Sequence, residues 1–160
     1  MAVFAVEELL DIAVGIEKNG VTYYESLAQF TTDTELQSIY TGLASMEKHH
    51  ITVFETMRAG LSGSGAIVPL ESEEEYDAYL KALIDSSVFT NDTVAREMAQ
   101  KASGPAEALQ LAVGAEKDSI LFYTEMRDLV PKREREAVEK IIKEERKHVR
   151  ELSELKQRYA

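Results

Sequence analysis

Residues 34–61 read TELQSIYTGLASMEKHHITVFETMRAGL, and their seam positions fall in alternating steps of four and three. Leu36, Tyr40, Leu43, Phe54, Met57 and Leu61 trace one stripe of an α-helix, the pattern of a helix packed in a bundle. Glu47 and His50 interrupt that stripe in the middle, at positions where the pattern calls for apolar residues. A spacing of three puts both side chains on the same face. The interruption is either a defect or a site.

The pattern recurs. Residues 133–159 carry Val138, Ile141, Glu145, His148, Leu152, Leu155 and Tyr159 at the same steps, again with a Glu-x-x-His pair in the middle. Two of the three histidines of the chain are thus in this signature. Before each of these helices stands another periodic stretch. Residues 6–30 align Leu9, Ala13, Ile16, Gly20, Tyr23 or Tyr24, and Leu27; residues 106–130 align Leu109, Val113, Glu116, Ile120, Tyr123, and Met126 or Arg127. Thr31-Thr32-Asp33 offers capping side chains for the second helix, and Pro131 closes the third. Gly60, Gly63, Gly65 and Pro69 are expected to end the second, and Gly104-Pro105 reads as a stop followed by a start.

Two hairpins with short turns and a long connection predict an all-α four-helix bundle. It forms one domain over residues 1–160, with a helix-containing crossover at 62–103 between the second and third long helices. Within the crossover, residues 73–84 and 92–102 read as shorter helices, with a break at 86–90.

Composition narrows the function classes. A chain of 160 residues with 44% hydrophobic and 29% charged residues suits one soluble domain. A net charge of −11 disfavours nucleic acid or an anionic membrane as partner, since both would repel it. There is no cysteine, which removes disulfides and thiolate ligands. No uninterrupted apolar run reaches membrane-spanning length, and the early acids Glu7, Glu8 and Asp11 do not fit a signal peptide. A cytoplasmic protein is the expectation.

The repeat completes the constellation. Glu17 and Glu116 stand 30 and 29 residues ahead of Glu47 and Glu145, and seven residues after each comes a tyrosine, Tyr24 and Tyr123. The halves therefore match as units related by a pseudo-twofold axis. Burying four carboxylates together without compensation is strongly unfavourable, whereas a pair of divalent ions would offset their charge. Oxygen and imidazole donors without sulfur suit iron or manganese, with zinc able to substitute. Glu47 and Glu145 are expected to bridge, Glu17 and Glu116 to bind terminally, and His50 and His148 to take one metal each. A core polar network without metal is the competing reading. Tyr24 and Tyr123 read equally as hydrogen-bond partners or electron donors beside the site and as core aromatics. His49 faces another side of its helix; Glu25, Glu55, Glu144 and Glu151 are expected in solvent, and residues 71–75 to form a charged helix start.

Taken together, Glu17…Tyr24, Glu47-x-x-His50, Glu116…Tyr123 and Glu145-x-x-His148 resemble the ferritin-like di-iron carboxylate proteins. The likeness covers residues 5–61 and 105–159 and is strongest to the rubrerythrin branch, with bacterioferritin second. It implies a di-iron centre that reduces hydrogen peroxide or dioxygen, or a ferroxidase acting on Fe²⁺. A helical scaffold with a vestigial site is the non-enzymatic alternative. Two features depart from the rubrerythrin pattern. The family's further glutamate, three residues after the third-helix ligand, is Ser119 here, and the four-cysteine electron-transfer domain has no counterpart. An electron donor would then be a separate protein. The long crossover and the absence of a fifth helix after Tyr159 disfavour a bacterioferritin-like cage, while a homodimer fits the long helical faces.

Overall fold

The computed structural model describes residues 4–62 and 74–160. Its order is α1 (Val6–Phe30), α2 (Thr34–Ser62), α3 (Glu74–Asp85), α4 (Asp92–Lys101), α5 (Pro105–Leu129), a 3₁₀ turn (Lys132–Glu134) and α6 (Arg135–Tyr159). No strand occurs among the described residues, and no helix is long and apolar enough to cross a membrane. The four long helices are the bundle; α1, α5 and α6, of 25 residues each, extend about 37 Å, and α2, of 29 residues, about 44 Å. Gly60, expected at the end of the second helix, lies inside it, and α2 runs on to Ser62. Gly63, Gly65, Pro69 and residues 71–73 of the acidic run lie outside the described residues; Glu74 and Glu75 do sit in the first turn of α3.

Short turns make two hairpins, α1 on α2 and α5 on α6, and these are the most extensive helix pairings. Asp33 caps α2, its Oδ1 accepting from the backbone N–H groups of Glu35 and Leu36 at 2.9 and 3.1 Å. Its Oδ2 accepts from the Tyr159 hydroxyl at 2.9 Å, tying the end of α6 to the first turn. Asn91 caps α4 through the Val94 N–H, and Pro105 starts α5 where its missing N–H is not needed.

Within the crossover, α4 packs on α1 and α3 on α5. Two side chains hold the intervening turn down: Asn19 donates to the Phe89 carbonyl at 3.1 Å, and Asp118 accepts from the Val88 N–H at 2.8 Å. The crossover is thus a cover laid over one face of the bundle.

The core divides in two. One apolar cluster gathers Leu9, Leu10, Phe54, Tyr123, Met126 and Ile142; the other gathers Tyr23, Leu36, Tyr40, Leu109, Leu152 and Leu155. Between them, at the middle of the long helices, lies a buried polar layer.

The Asp33 cap is open to a direct test. Its carboxyl is held below the ordinary aspartate value of 3.8, first by the Leu36 N–H and then by the Tyr159 hydroxyl. A folded-state pKa below the unfolded one gives stability that is present above the unfolded value and lost as the pH falls through the folded one. Asp33→Ala is expected to lower the melting temperature by several degrees at pH 7. The gap from the native protein, followed by circular dichroism, should close as the pH drops below 3.8.

Candidate metal centre

The polar layer is built by the seams. Each places a buried acid or histidine between apolar neighbours one turn away, so the backbone cannot turn these side chains to solvent without exposing the core. Glu17, Glu47, Glu116, Glu145, His50 and His148 are each at most 4% exposed. All six residues singled out in the sequence are therefore brought together.

Their donor atoms fall into two overlapping groups. Glu17, Glu47, His50 and Glu145 form one, and Glu47, Glu116, Glu145 and His148 the other, with the atoms of each group within 4.8 Å of one another. Glu47 and Glu145 belong to both. The Nδ1 atom of His50 lies 3.1 Å from Glu145 and 3.4 Å from Glu17, and that of His148 lies 2.9 Å from Glu145 and 3.6 Å from Glu116. The two rings are 6.3 Å apart. Glu17 Oε2, Glu145 Oε1 and His50 Nδ1 are buried with no hydrogen-bond partner, yet they face the same space. Unpartnered buried donors and acceptors are strongly unfavourable, and cations in that space would satisfy them together. The residues present fit a pair of metal ions.

The tyrosines hold these carboxylates from outside, in an arrangement the linear sequence hides. Tyr24 donates to Glu116 Oε1 at 2.5 Å, and Tyr123 donates to Glu17 Oε1. Each tyrosine therefore serves the glutamate of the other half. Seven residues is about 10.5 Å along one helix, too far for a tyrosine to reach its own glutamate, whereas α1 and α5 run antiparallel and close that distance. The role as hydrogen-bond partner is the one the geometry carries. Tyr23, its neighbour, instead donates to the Ala108 carbonyl at 2.6 Å and belongs to the core.

Glu144 corrects an expectation. Glu25, Glu55, Glu151 and His49 are exposed as the sequence indicated, but Glu144 is half-buried and its Oε2 lies 2.8 Å from His50 Nε2. The available signal was its position four residues before His148, which turns both toward α2. Ile120 is a second correction. It is only half-buried, and Ser119 is buried in its place, donating to the Ala115 carbonyl at 3.2 Å. The crossover covers that flank of α5 through the Val88–Asp118 contact. Gly20 makes room for the shared acid: a Cβ there would lie 3.3 Å from Glu47 Cγ and Cδ.

Electrostatics follow from burial. Burial, then the charges of Glu17, Glu116 and Glu145, pushes the Glu47 carboxyl well above its usual range. Burial and the charge of Glu145 raise Glu116 to about 7, although His148 opposes the shift. Burial works against both imidazolium rings, and the carboxylates overcome it. Glu145 and Glu17 hold His50 at about 11, and Glu116 and Glu145 hold His148 at about 10. The Tyr24 and Tyr123 hydroxyls are pushed up by burial and by Glu116 and Glu17 respectively, so they keep their protons and act as donors.

The Rubrerythrin family model matches residues 8–156. The chain belongs to the rubrerythrin family. Among solved structures, this rubrerythrin-family chain is similar to a protein from Thermotoga maritima described as a ferritin-like diiron-carboxylate protein. The two share 25% identity and a TM-score of 0.77, covering 100% of this chain and 99% of the other. No curated protein matches the chain in sequence. The all-α, ferritin-like bundle anticipated from the two Glu-x-x-His seams is thus the fold of the family.

Metal loading of this site should displace protons, because His50 and His148 are protonated at neutral pH and metal needs their free nitrogens. Zn²⁺ binding at pH 7 is expected to release about two protons per chain or more, with Glu47 and Glu116 adding to the histidines. Apparent affinity should therefore rise with pH. Calorimetry in buffers of different ionisation enthalpy measures the number, and zinc bound without proton release would place the metal elsewhere.

Proposed function

We propose that this rubrerythrin-family chain is a di-iron oxidoreductase that reduces hydrogen peroxide or dioxygen with electrons from a separate donor protein. The observation that carries the reading is the pair of four-donor groups sharing Glu47 and Glu145. In this reading Glu47 and Glu145 would be shared by the two ions, Glu17 and His50 would hold one of them, and Glu116 and His148 the other. Four carboxylates balance two divalent ions, and a donor set of oxygen and imidazole nitrogen suits iron, with manganese or zinc as substitutes. Once bound, the iron pair would supply the two electrons that, with two protons from solvent, take one peroxide to two waters; dioxygen needs two such rounds, and the outside reductant would restore the electrons after each.

The remaining work falls to the chain itself. Tyr24 holds Glu116 by Oε1 and leaves Oε2 turned toward His148; Tyr123 does the same for Glu17 and His50. Each carboxylate is thereby oriented before metal arrives, at little further entropic cost. The apolar clusters close the belt above and below, so approach is confined to its flanks. Access comes from a cavity of about 780 Å³ under the crossover, which reaches Glu47, Glu116 and Tyr24 and is walled by Ile16, Phe89 and Phe122. That opening is ample for peroxide or dioxygen to reach the belt.

Anaerobic loading with Fe²⁺ should give about two irons per chain, one for each donor group. Glu47→Ala should lose both irons, whereas Glu116→Ala should lose one. One equivalent of peroxide should oxidise the pair without evolving dioxygen, and an added reductant should restore the divalent state, as followed by near-ultraviolet absorbance. Fewer than one iron per chain sinks the reading. Continued oxidation far beyond the bound iron with no reductant would instead make the protein a ferroxidase.

A further inference from the structure

The two halves repeat each other at all six buried donors and then differ one residue upstream. Glu144 precedes Glu145, but the residue before Glu47 is Met46. This single difference separates the two histidines. His50 has carboxylates at both ring nitrogens: Nε2 is anchored 2.8 Å from Glu144, which leaves Nδ1 facing Glu145 and Glu17. An imidazole has no third polar position, so the ring has one setting. His148 makes its hydrogen-bond and ion-pair contacts through Nδ1, with Glu145 and Glu116. Its ring borders a cavity of about 540 Å³ between α2 and α6, which Met46 and Glu144 also line. A thioether is only a weak acceptor and gives no comparable anchor.

Access separates the groups in the same sense. The larger cavity reaches Glu47 and Glu116, and the smaller one reaches His148. Three of the four donors in the Glu47–Glu116–Glu145–His148 group therefore border open space. In the Glu17–Glu47–His50–Glu145 group, among the described residues, Glu47 alone borders either of these two cavities.

We infer that Glu144 is a positioning residue that makes the two metal positions unequal. The position with His50 holds its ion tightly, while the position with His148 holds an exchangeable ion that meets incoming small molecules. The inference rests on the metal reading above. Its physical basis is twofold. A carboxylate accepting the Nε2–H of a ligating histidine fixes the ring and strengthens the other nitrogen as a donor, typically by tenfold to a hundredfold in metal affinity. Loss of an ion also requires water to replace its ligands one by one, and the second position borders cavities on two sides, formed among the described residues, from which water can enter.

The test is anaerobic titration of the metal-free protein with Co²⁺, followed by calorimetry and visible absorbance. The native protein should bind in two steps, the first at least about tenfold tighter than the second. Glu144→Ala should weaken the first step by about ten- to a hundredfold and leave the second unchanged. Glu144→Gln keeps an acceptor at the same reach and should recover most of the loss, which a purely structural role would not predict. Met46→Glu, which supplies the missing counterpart, should tighten the second step. In the native protein loaded with Zn²⁺ and labelled with ¹⁵N, the His50 Nε2–H should exchange with water more slowly than that of His148. This last measurement needs no variant to fold. Two equal steps in the native protein, or a first step indifferent to Glu144→Ala, overturns the inference while the metal reading stands. No Co²⁺ bound at all overturns both.

Discussion

Four carboxylates buried at mid-height in an apolar bundle are the constraint on which the rest of the structure depends. Left alone, they would repel one another in a medium that solvates them poorly. Protons moderate this: the carboxyls of Glu47 and Glu116 are pushed up, and the carboxylates keep both histidines charged. It also uses fixed dipoles, since Tyr24 and Tyr123 each give a hydroxyl to a carboxylate. Even so, three polar atoms of the cluster remain without a hydrogen bond. Cations in place of the protons would resolve the arrangement, and that exchange would link metal loading to both pH and stability.

The core is organised around this layer. Leu, Ile, Phe and Tyr side chains fill both ends of the bundle as separate clusters, so the helices are clamped above and below the polar belt. Such clamping lets short side chains hold a fixed geometry, because the helix axes cannot drift apart to relieve the repulsion. The crossover adds the remaining element. Tied down through Asn19 and Asp118, it roofs the cavity that leads to Glu47 and Glu116. With Ser119 in that wall in place of a larger acid, the path to the belt stays open.

Near-symmetry of the two halves is a structural inheritance, and function would arise where it fails. The donors and tyrosines obey the repeat, but Glu144 and Met46 do not. One such exchange changes the surroundings of a ring nitrogen, and through it the ion that ring would bind.

Much of this was legible in the chain. Every seam residue named on the second helix, from Leu36 to Leu61, is buried, because a period near 3.5 leaves one solution for a helix packed in a bundle. The same period made Glu47, His50, Glu145 and His148 conspicuous, and the repeat identified Glu17 and Glu116. Local periodicity, then, determined the helices, the bundle and the six buried donors. Only the tertiary structure decided which groups meet across helices. Tyr24 reaches Glu116 rather than Glu17, and Glu144 reaches His50 rather than solvent. Ser119 takes the buried place expected of Ile120 because the crossover covers that side of α5. The reason is the same in each case: periodicity says which face of a helix a residue occupies, whereas its partner depends on the direction and offset of the neighbouring helix, which the spacing along one helix does not encode.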